Sequence, residues 1–169
     1  TTDIGTTSAV KSKTDVRLNV NAYGYVGIGT TNKVTVKIGS VLAEPIIQND
    51  TYYNNHRQGL WKVLEPLKSK YKMLTTKMDY PDYVRELCKS KITISPFGMG
   101  ELCFRDFEAM KFGTVLIKPS HRKIDTIPNV MVDDDTFIAC EHDWSDLEEK
   151  IDYVLSNYDE LQPYLTENF

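Results

Sequence analysis

A segment in the second half of the chain combines residues that could bind a phosphate ester. It covers 95–119 and contains SPFGMGELCFRDFEAMKFGTVLIKP. An apolar strand is expected to end at Pro96, and a loop with Gly98 and Gly100 follows, where missing side chains let backbone approach a ligand closely. The helix expected to begin near Phe104 would present N–H groups and a positive dipole end, which favour an anion such as a diphosphate.

Arg105 and Glu108 are predicted to share one face of this helix, because they are three residues apart. The guanidinium of Arg105 is a planar fork of donors that suits phosphate oxygens. The carboxylate of Glu108 can accept hydrogen bonds from two neighbouring hydroxyls, as a ribose presents them. The simpler interpretation is an exposed ion pair between these two residues, since such pairs are common on helices.

The segment resembles the donor-binding signature of GT-B glycosyltransferases, which have two Rossmann domains. The similarity is to the group 1 and exostosin-like members, and its pieces are Ser95-Pro96, Gly98 to Glu101, Arg105 to Ala109, Glu108-Ala109-Met110 and 113–117. In those families the resemblance implies that Glu108 binds the nucleotide ribose and Arg105 the diphosphate. The loop with Gly98, Gly100 and Glu101 would touch the donor sugar or phosphate. Glu101 lies one position closer to Glu108 than in the best-known members.

The resemblance implies transfer of a sugar from a nucleotide-diphosphate sugar to an unknown acceptor, without a metal or other cofactor. Arg105 would stabilise the charge that develops on the leaving diphosphate. In this architecture the acceptor site and the catalytic base come from the other Rossmann domain. The first 50 residues are too few for such a domain, and no catalytic base is identified.

Around this segment, predicted helices and strands alternate along the chain, and this pattern is typical of a parallel sheet covered by helices. Helices are predicted at about 51–71, 81–90, 104–112, 145–155 and 159–165, and strands at 72–76, 92–95, 114–118, 129–132 and 136–139. Gly113 is expected to end the third helix. The predicted fold class is α/β, a Rossmann-like parallel sheet flanked by helices over 50–169, preceded by a short β-rich segment over 1–49.

The first 49 residues are rich in Thr, Val, Gly, Asn and Ser, and 17–20 and 33–38 alternate like half-buried strands. Residues 18–32 resemble the VGIGTT repeats of phage tail fibres. That resemblance implies a viral or phage origin and an oligomer formed through this segment. The second functional hypothesis is therefore a non-enzymatic structural or adhesive protein. The stretch 24–31 lacks the lysine of a P-loop, and Asn32 replaces the third glycine of a dinucleotide motif.

Asp133, Asp134 and Asp135 follow a short apolar stretch and support a third hypothesis. A metal-dependent transferase would use Asp133 and Asp135 to hold a divalent cation against the donor diphosphate, since carboxylate oxygens suit Mg or Mn. The simpler interpretation is a solvated acidic turn, because aspartate favours turns.

The composition argues against several other classes of protein. The net charge is −4 without a basic excess, which argues against a general nucleic-acid binder. No apolar run is long enough for a membrane span, and no signal-peptide pattern is present, so the expected location is the cytoplasm. The cysteines and histidines are too scattered for a disulfide framework or a metal cluster; they are Cys88, Cys103, Cys140, His56, His121 and His142. His56 and Arg57 open the first predicted helix and could point at the ligand cleft, but they are expected to be exposed helix residues.

Overall fold

The computed structural model describes residues 16–20, 26–30, 35–38, 52–75, 78–98 and 100–167. Within these ranges the chain is α/β, with parallel strands flanked by helices. None of the described helices has the length and apolar character needed to cross a membrane.

The strands form two sheets. An antiparallel pair consists of β1 (Val16–Val20) and β2 (Val26–Thr30). A parallel sheet has the order β4-β3-β5-β6-β7, and its strands are β3 (Thr35–Ile38), β4 (Lys72–Leu74), β5 (Ser90–Ile94), β6 (Val115–Pro119) and β7 (Ile138–Cys140). The helices are α1 (Tyr52–Leu67), α2 (Tyr80–Lys89), α3 (Phe104–Lys111), α4 (Leu147–Ser156) and α5 (Tyr158–Glu167).

The parallel sheet is buried on both faces. Successive strand residues point to opposite faces, so Val115 and Ile117 of β6 join one apolar cluster while Leu116 joins the other. The first cluster includes helix residues from α1 and α4, among them Leu60, Leu64, Ile151 and Val154. The second includes Ala109, Met110, Met131 and Phe137. This double burial explains why β6 is a continuous apolar run, as in other parallel sheets.

Most elements after residue 50 lie within a few residues of their predicted positions. Gly113 ends α3 with a φ of +68°, a conformation that suits glycine. The prediction of a strand at 129–132 is wrong, because these residues are irregular and lead into a turn at 134–136 that lies between the bridged residues Asp133 and Phe137.

The part of the chain before residue 50 contributes β3 to the parallel sheet, where it pairs with β4 and β5. The division into 1–49 and 50–169 stays a prediction, as does the resemblance to tail fibres. Gly24 and Asn32, which entered the comparison with nucleotide-binding loops, lie outside the described residues.

The parallel strands place one set of loops at a common edge. The chain leaves β5, β6 and β7 there, and α1 and α3 begin near the same edge. Strand β3 continues to β4 on one side, and β5 lies on its other side, so the strand order reverses between β3 and β5. Open α/β sheets bind ligands in the crevice outside the carboxyl ends of the strands at such a reversal.

Candidate functional site

Two arginines hold the backbone that follows β5. Arg105, in the first turn of α3, donates from Nε to Ser95 Oγ at 3.1 Å and from one Nη to the Pro96 carbonyl at 3.0 Å. Arg57, from α1, donates from Nε to the Phe97 carbonyl at 3.1 Å. The course of the chain from Ser95 to Phe97 is therefore fixed by two positive side chains that come from different helices.

Neither arginine has an acidic partner among the residues that the structure describes. The ion pairs found among the described side chains join other residues, and none includes Arg57 or Arg105. Burial lowers the pKa of Arg57, and the positive charge of Arg105 lowers it further. Two guanidinium groups close to each other, without a carboxylate between them, form an arrangement that an anion would stabilise.

Glu108 lies on a different side of the site from the one expected. Its Oε2 accepts a hydrogen bond from Tyr83 Oη of α2 at 2.9 Å. The negative charge of Glu108 also raises the pKa of Tyr80, in the same turn of α2. No ion pair joins Glu108 to Arg105, so the surface pair suggested by their spacing is absent. Arg105 faces the loop after β5, whereas Glu108 faces α2.

The start of α3 is built around a buried acid. Asp106 accepts hydrogen bonds from the Cys103 backbone N–H at 2.9 Å and from Ser95 Oγ. Its Oδ2 lies 2.9 Å from Nζ of Lys118, and neither side chain has any solvent exposure. The carboxylate therefore already pairs one backbone donor at the start of the helix and supplies negative charge where the helix dipole favours it.

The three histidines, which are widely spaced in the sequence, lie around the ring of Phe97. Their ring centroids lie 5.0 Å (His56), 6.0 Å (His121) and 5.6 Å (His142) from that of Phe97. Lys118 Nζ lies 5.0 Å from the same centroid. The convergence arises because the first turns of α1 and the loops after β6 and β7 all meet at the carboxyl edge of the sheet.

His56 and Arg57 are not the exposed helix residues that were expected. His56 is buried and Arg57 is half-buried. The His56 ring lies 4.8 Å from that of Trp144, whose Nε1 donates to the His56 carbonyl at 3.2 Å. Trp144 has a φ of +66°, which is unusual for a bulky residue and typical of strain kept at functional sites.

The pKa of His56 is lowered to about 4 from 6.5, first by burial and then by the positive charges of His142, Lys118 and Arg57. As pH falls, the unfolded chain therefore takes up this proton before the folded chain does. The contribution of His56 to stability is complete above pH 6.5 and is lost progressively between pH 6.5 and 4.

We expect protonation of His56 to lower the free energy of unfolding by on the order of 3 kcal/mol between pH 6.5 and pH 4. Urea unfolding at several pH values would measure it. In His56→Phe, the difference in the free energy of unfolding between pH 6.5 and pH 4 should be smaller by that amount. The part of the difference that comes from carboxylates should remain. An unchanged pH dependence in the variant would contradict a buried neutral His56.

His121 is buried as well, and neither of its ring nitrogens has a hydrogen-bond partner among the described residues. Burial lowers its pKa most, and the charge of Lys118 lowers it further. The carboxylates of Asp106, Asp133 and Glu101 act in the opposite direction. Glu101, at the end of the glycine loop, therefore lies within electrostatic reach of His121.

The acidic triplet forms a turn in which each carboxylate has a different partner. Asp133 accepts a hydrogen bond from the His121 backbone N–H at 2.7 Å, and Asp134, with a φ of +60°, accepts one from Ala139 N–H at 3.0 Å. Asp135 accepts one from Tyr164 Oη at 2.9 Å. Within the described ranges, no three His, Cys, Asp or Glu side chains are grouped to hold a metal ion.

The structure brings together part of the predicted set and adds residues to it. Gly98 lies in the loop after β5, Arg105 contacts the start of that loop from α3, Glu101 is near His121, and Glu108 lies toward α2. Gly98 N–H donates to the Gly100 carbonyl at 3.0 Å, which closes the loop on itself. Among the described residues, no disulfide joins Cys88, Cys103 or Cys140.

Four residues of this edge were not predicted to be part of a site: His56, Arg57, Lys118 and His121. One local signal pointed to Lys118, because a lysine at the end of the apolar run Val-Leu-Ile of β6 is unusual in a buried strand. The other three come from distant parts of the chain, where no local pattern marks them. No protein-family model matches the chain, and no curated protein matches it.

Proposed function

We propose that residues 50–169, together with β3, are the donor-binding part of a GT-B glycosyltransferase, with a Rossmann-like sheet that binds a nucleotide-diphosphate sugar. The observation that carries the proposal is the pair Arg57 and Arg105, which flank the loop after β5 and have no carboxylate partner among the described residues. Their position at the carboxyl edge, where the strand order reverses, is where such sheets bind nucleotides.

The diphosphate is proposed to lie against the loop from Ser95 to Gly98. Among the described residues, Arg57 bonds Phe97 through Nε alone, so its two Nη groups remain to contact phosphate oxygens, and one of them is near Gly98. Arg105 holds Ser95 and Pro96 and adds positive charge on the side of the loop that faces α3. Because both charges are in place before the sugar–phosphate bond breaks, they stabilise the negative charge that develops on the leaving diphosphate.

The ribose is proposed to bind Glu108. Tyr83 holds one carboxylate oxygen by a 2.9 Å hydrogen bond, which orients the group. A carboxylate has about four acceptor positions on its two oxygens, so most of them remain for ribose hydroxyls. The acceptor and the catalytic base belong to the other domain in this architecture, so turnover is proposed to require that domain as a partner.

Calorimetric titration with UDP and GDP in EDTA tests this proposal. We expect wild type to bind one of them despite the chelator, and Glu108→Ala to bind it at least about tenfold more weakly, from the loss of hydrogen bonds to a charged group. Glu86→Ala is the control, since Glu86 pairs with Lys89 on the surface of α2. A folded wild type that binds neither nucleotide would overturn the proposal.

Gly98→Ala should separate folding from binding. A Cβ at Gly98 would meet Cys103 Cβ at 3.5 Å, an ordinary contact, so we expect the free energy of unfolding to stay equal or rise by about 0.4–1 kcal/mol. If the diphosphate approaches this backbone closely, the methyl group should weaken UDP or GDP binding about tenfold or more.

Gly59→Ala in α1 is the matched control for this test. Its Cβ would meet Trp144 at 3.8 Å, and helix propensity favours alanine there. This variant should keep nucleotide affinity. Equal affinities for Gly98→Ala and wild type, measured by the same titration, would show that the loop does not contact the nucleotide closely.

A further inference from the structure

His121 is a buried polar side chain that the packing of the fold does not explain. It is 4% exposed, and neither ring nitrogen has a hydrogen-bond partner within the part of the chain that the structure describes. A buried polar group without a partner costs free energy and is rare in folded proteins unless a water, an ion or a ligand completes it.

His56 also has unpaired ring nitrogens, but its surroundings account for it. Its ring lies between Phe97 at 5.0 Å, in a stacked arrangement, and Trp144 at 4.8 Å. The backbone of His142 is close enough to raise the pKa of His56. His121 has only looser ring contacts, tilted to Phe97 at 6.0 Å and edge-on to Phe137 at 5.5 Å. His56 is therefore a packing residue, and His121 still needs a partner.

The surroundings of His121 belong to the proposed donor site. His121 lies two residues after the end of β6 and three residues after the buried Lys118. Glu101 and Asp106, which flank the start of α3, are near enough for their charges to act on its pKa. Glu101 ends the glycine loop, and a Cβ built on Gly100 would meet no atom within 4 Å.

The chemistry of His121 selects the kind of ligand group. Burial and the charge of Lys118 lower the pKa of His121, which keeps the imidazole neutral. A neutral imidazole has one donor and one acceptor nitrogen. Phosphate oxygens can only accept, and they would leave the acceptor nitrogen unpaired, whereas sugar hydroxyls both donate and accept.

We propose that His121 is a specificity-determining residue that hydrogen-bonds hydroxyl groups of the transferred sugar, an inference that rests on the donor site proposed above. The diphosphate lies on the arginine side of the loop and the sugar on the His121 side. His121 is only 4% exposed in the free protein, so a bound sugar must displace some of the atoms that cover the ring.

The test is calorimetric titration of wild type and His121→Phe with UDP, GDP and their glucose, N-acetylglucosamine and mannose conjugates. His121→Phe should weaken the bound sugar conjugate about tenfold and change the affinity for the free diphosphate by less than about twofold. Because the variant removes two unpaired buried nitrogens, its Tm should rise by about 2–4 °C.

His142→Phe is the matched control, because His142 also contacts Phe97 but is exposed and already bonded to the Ser120 carbonyl at 3.0 Å. It should leave both affinities unchanged. His121→Leu is a second variant, to be used if the larger phenyl ring of His121→Phe does not fit the site. The inference would be overturned if His121→Phe changed the affinities for the sugar conjugate and the free diphosphate equally, or changed neither. A lower Tm in both His121 variants would also overturn it. A wild type that binds no diphosphate would instead refute the donor site itself.

Discussion

Asp106→Asn is expected to lower the free energy of unfolding by on the order of 3–5 kcal/mol, because it leaves the charge of Lys118 buried without a partner. The two side chains have no solvent exposure and lie 2.9 Å apart. Asparagine keeps an acceptor for the Cys103 N–H, so the loss reports mainly on the ion pair. Urea unfolding at pH 7 measures it.

Two controls show whether the cost comes from the unpaired charge. The double variant Asp106→Leu, Lys118→Met removes both charges and should recover most of the stability, as buried ion pairs often can be replaced by apolar groups. Glu65→Gln breaks the exposed pair with Lys68 and should change stability by less than about 1 kcal/mol. A loss in Asp106→Asn as small as that of Glu65→Gln would contradict a buried, paired Lys118.

Arg57→Ala is expected to weaken binding of UDP or GDP about 10- to 100-fold, since a hydrogen bond to a charged phosphate contributes roughly 1.5–3 kcal/mol. The fold should tolerate the change, because the side chain is half-buried and makes one hydrogen bond, to Phe97. The affinity comes from calorimetry and the stability from urea unfolding of the same samples.

Arg105→Ala should behave differently, because Arg105 is buried and holds Ser95 and Pro96. It should lower both affinity and stability. Arg85→Ala removes an exposed arginine that pairs with Asp82 on α2 and controls for the general loss of positive charge. If Arg57→Ala and Arg85→Ala had the same affinity, the arginine pair would not be the diphosphate site.

The strand-loop-helix segment at 90–119 could be predicted because its signals are local. An apolar run marks β5, glycines mark the loop, helical periodicity marks α3, and Gly113 ends it. The directions of Arg105 and Glu108 could not be derived from spacing. Three residues of an α-helix correspond to about 300°, so the two side chains diverge by about 60°, enough to face different neighbours.

The rest of the edge depends on contacts between distant parts of the chain. Arg57 and Phe97 are 40 residues apart, and Trp144 contacts His56 across 88 residues. Such contacts follow from the order of the strands and from the antiparallel direction of α1. No periodicity or short motif in a single sequence records them. The pairing of β3 with β5 is of the same kind, and it places a strand from before residue 50 in the parallel sheet.

The most direct test of the account is a nitrogen–proton NMR titration of the ¹⁵N-labelled chain with UDP and GDP. We predict saturable shifts of the backbone amides of Arg57, Phe97, Gly98 and Gly100 at the carboxyl edge. Lys91 and Tyr158, which contact each other away from these loops, should not shift. Shifts confined to residues such as Lys91 and Tyr158, or no saturable shift with either nucleotide, would contradict a nucleotide-diphosphate site between Arg57 and the loop after β5.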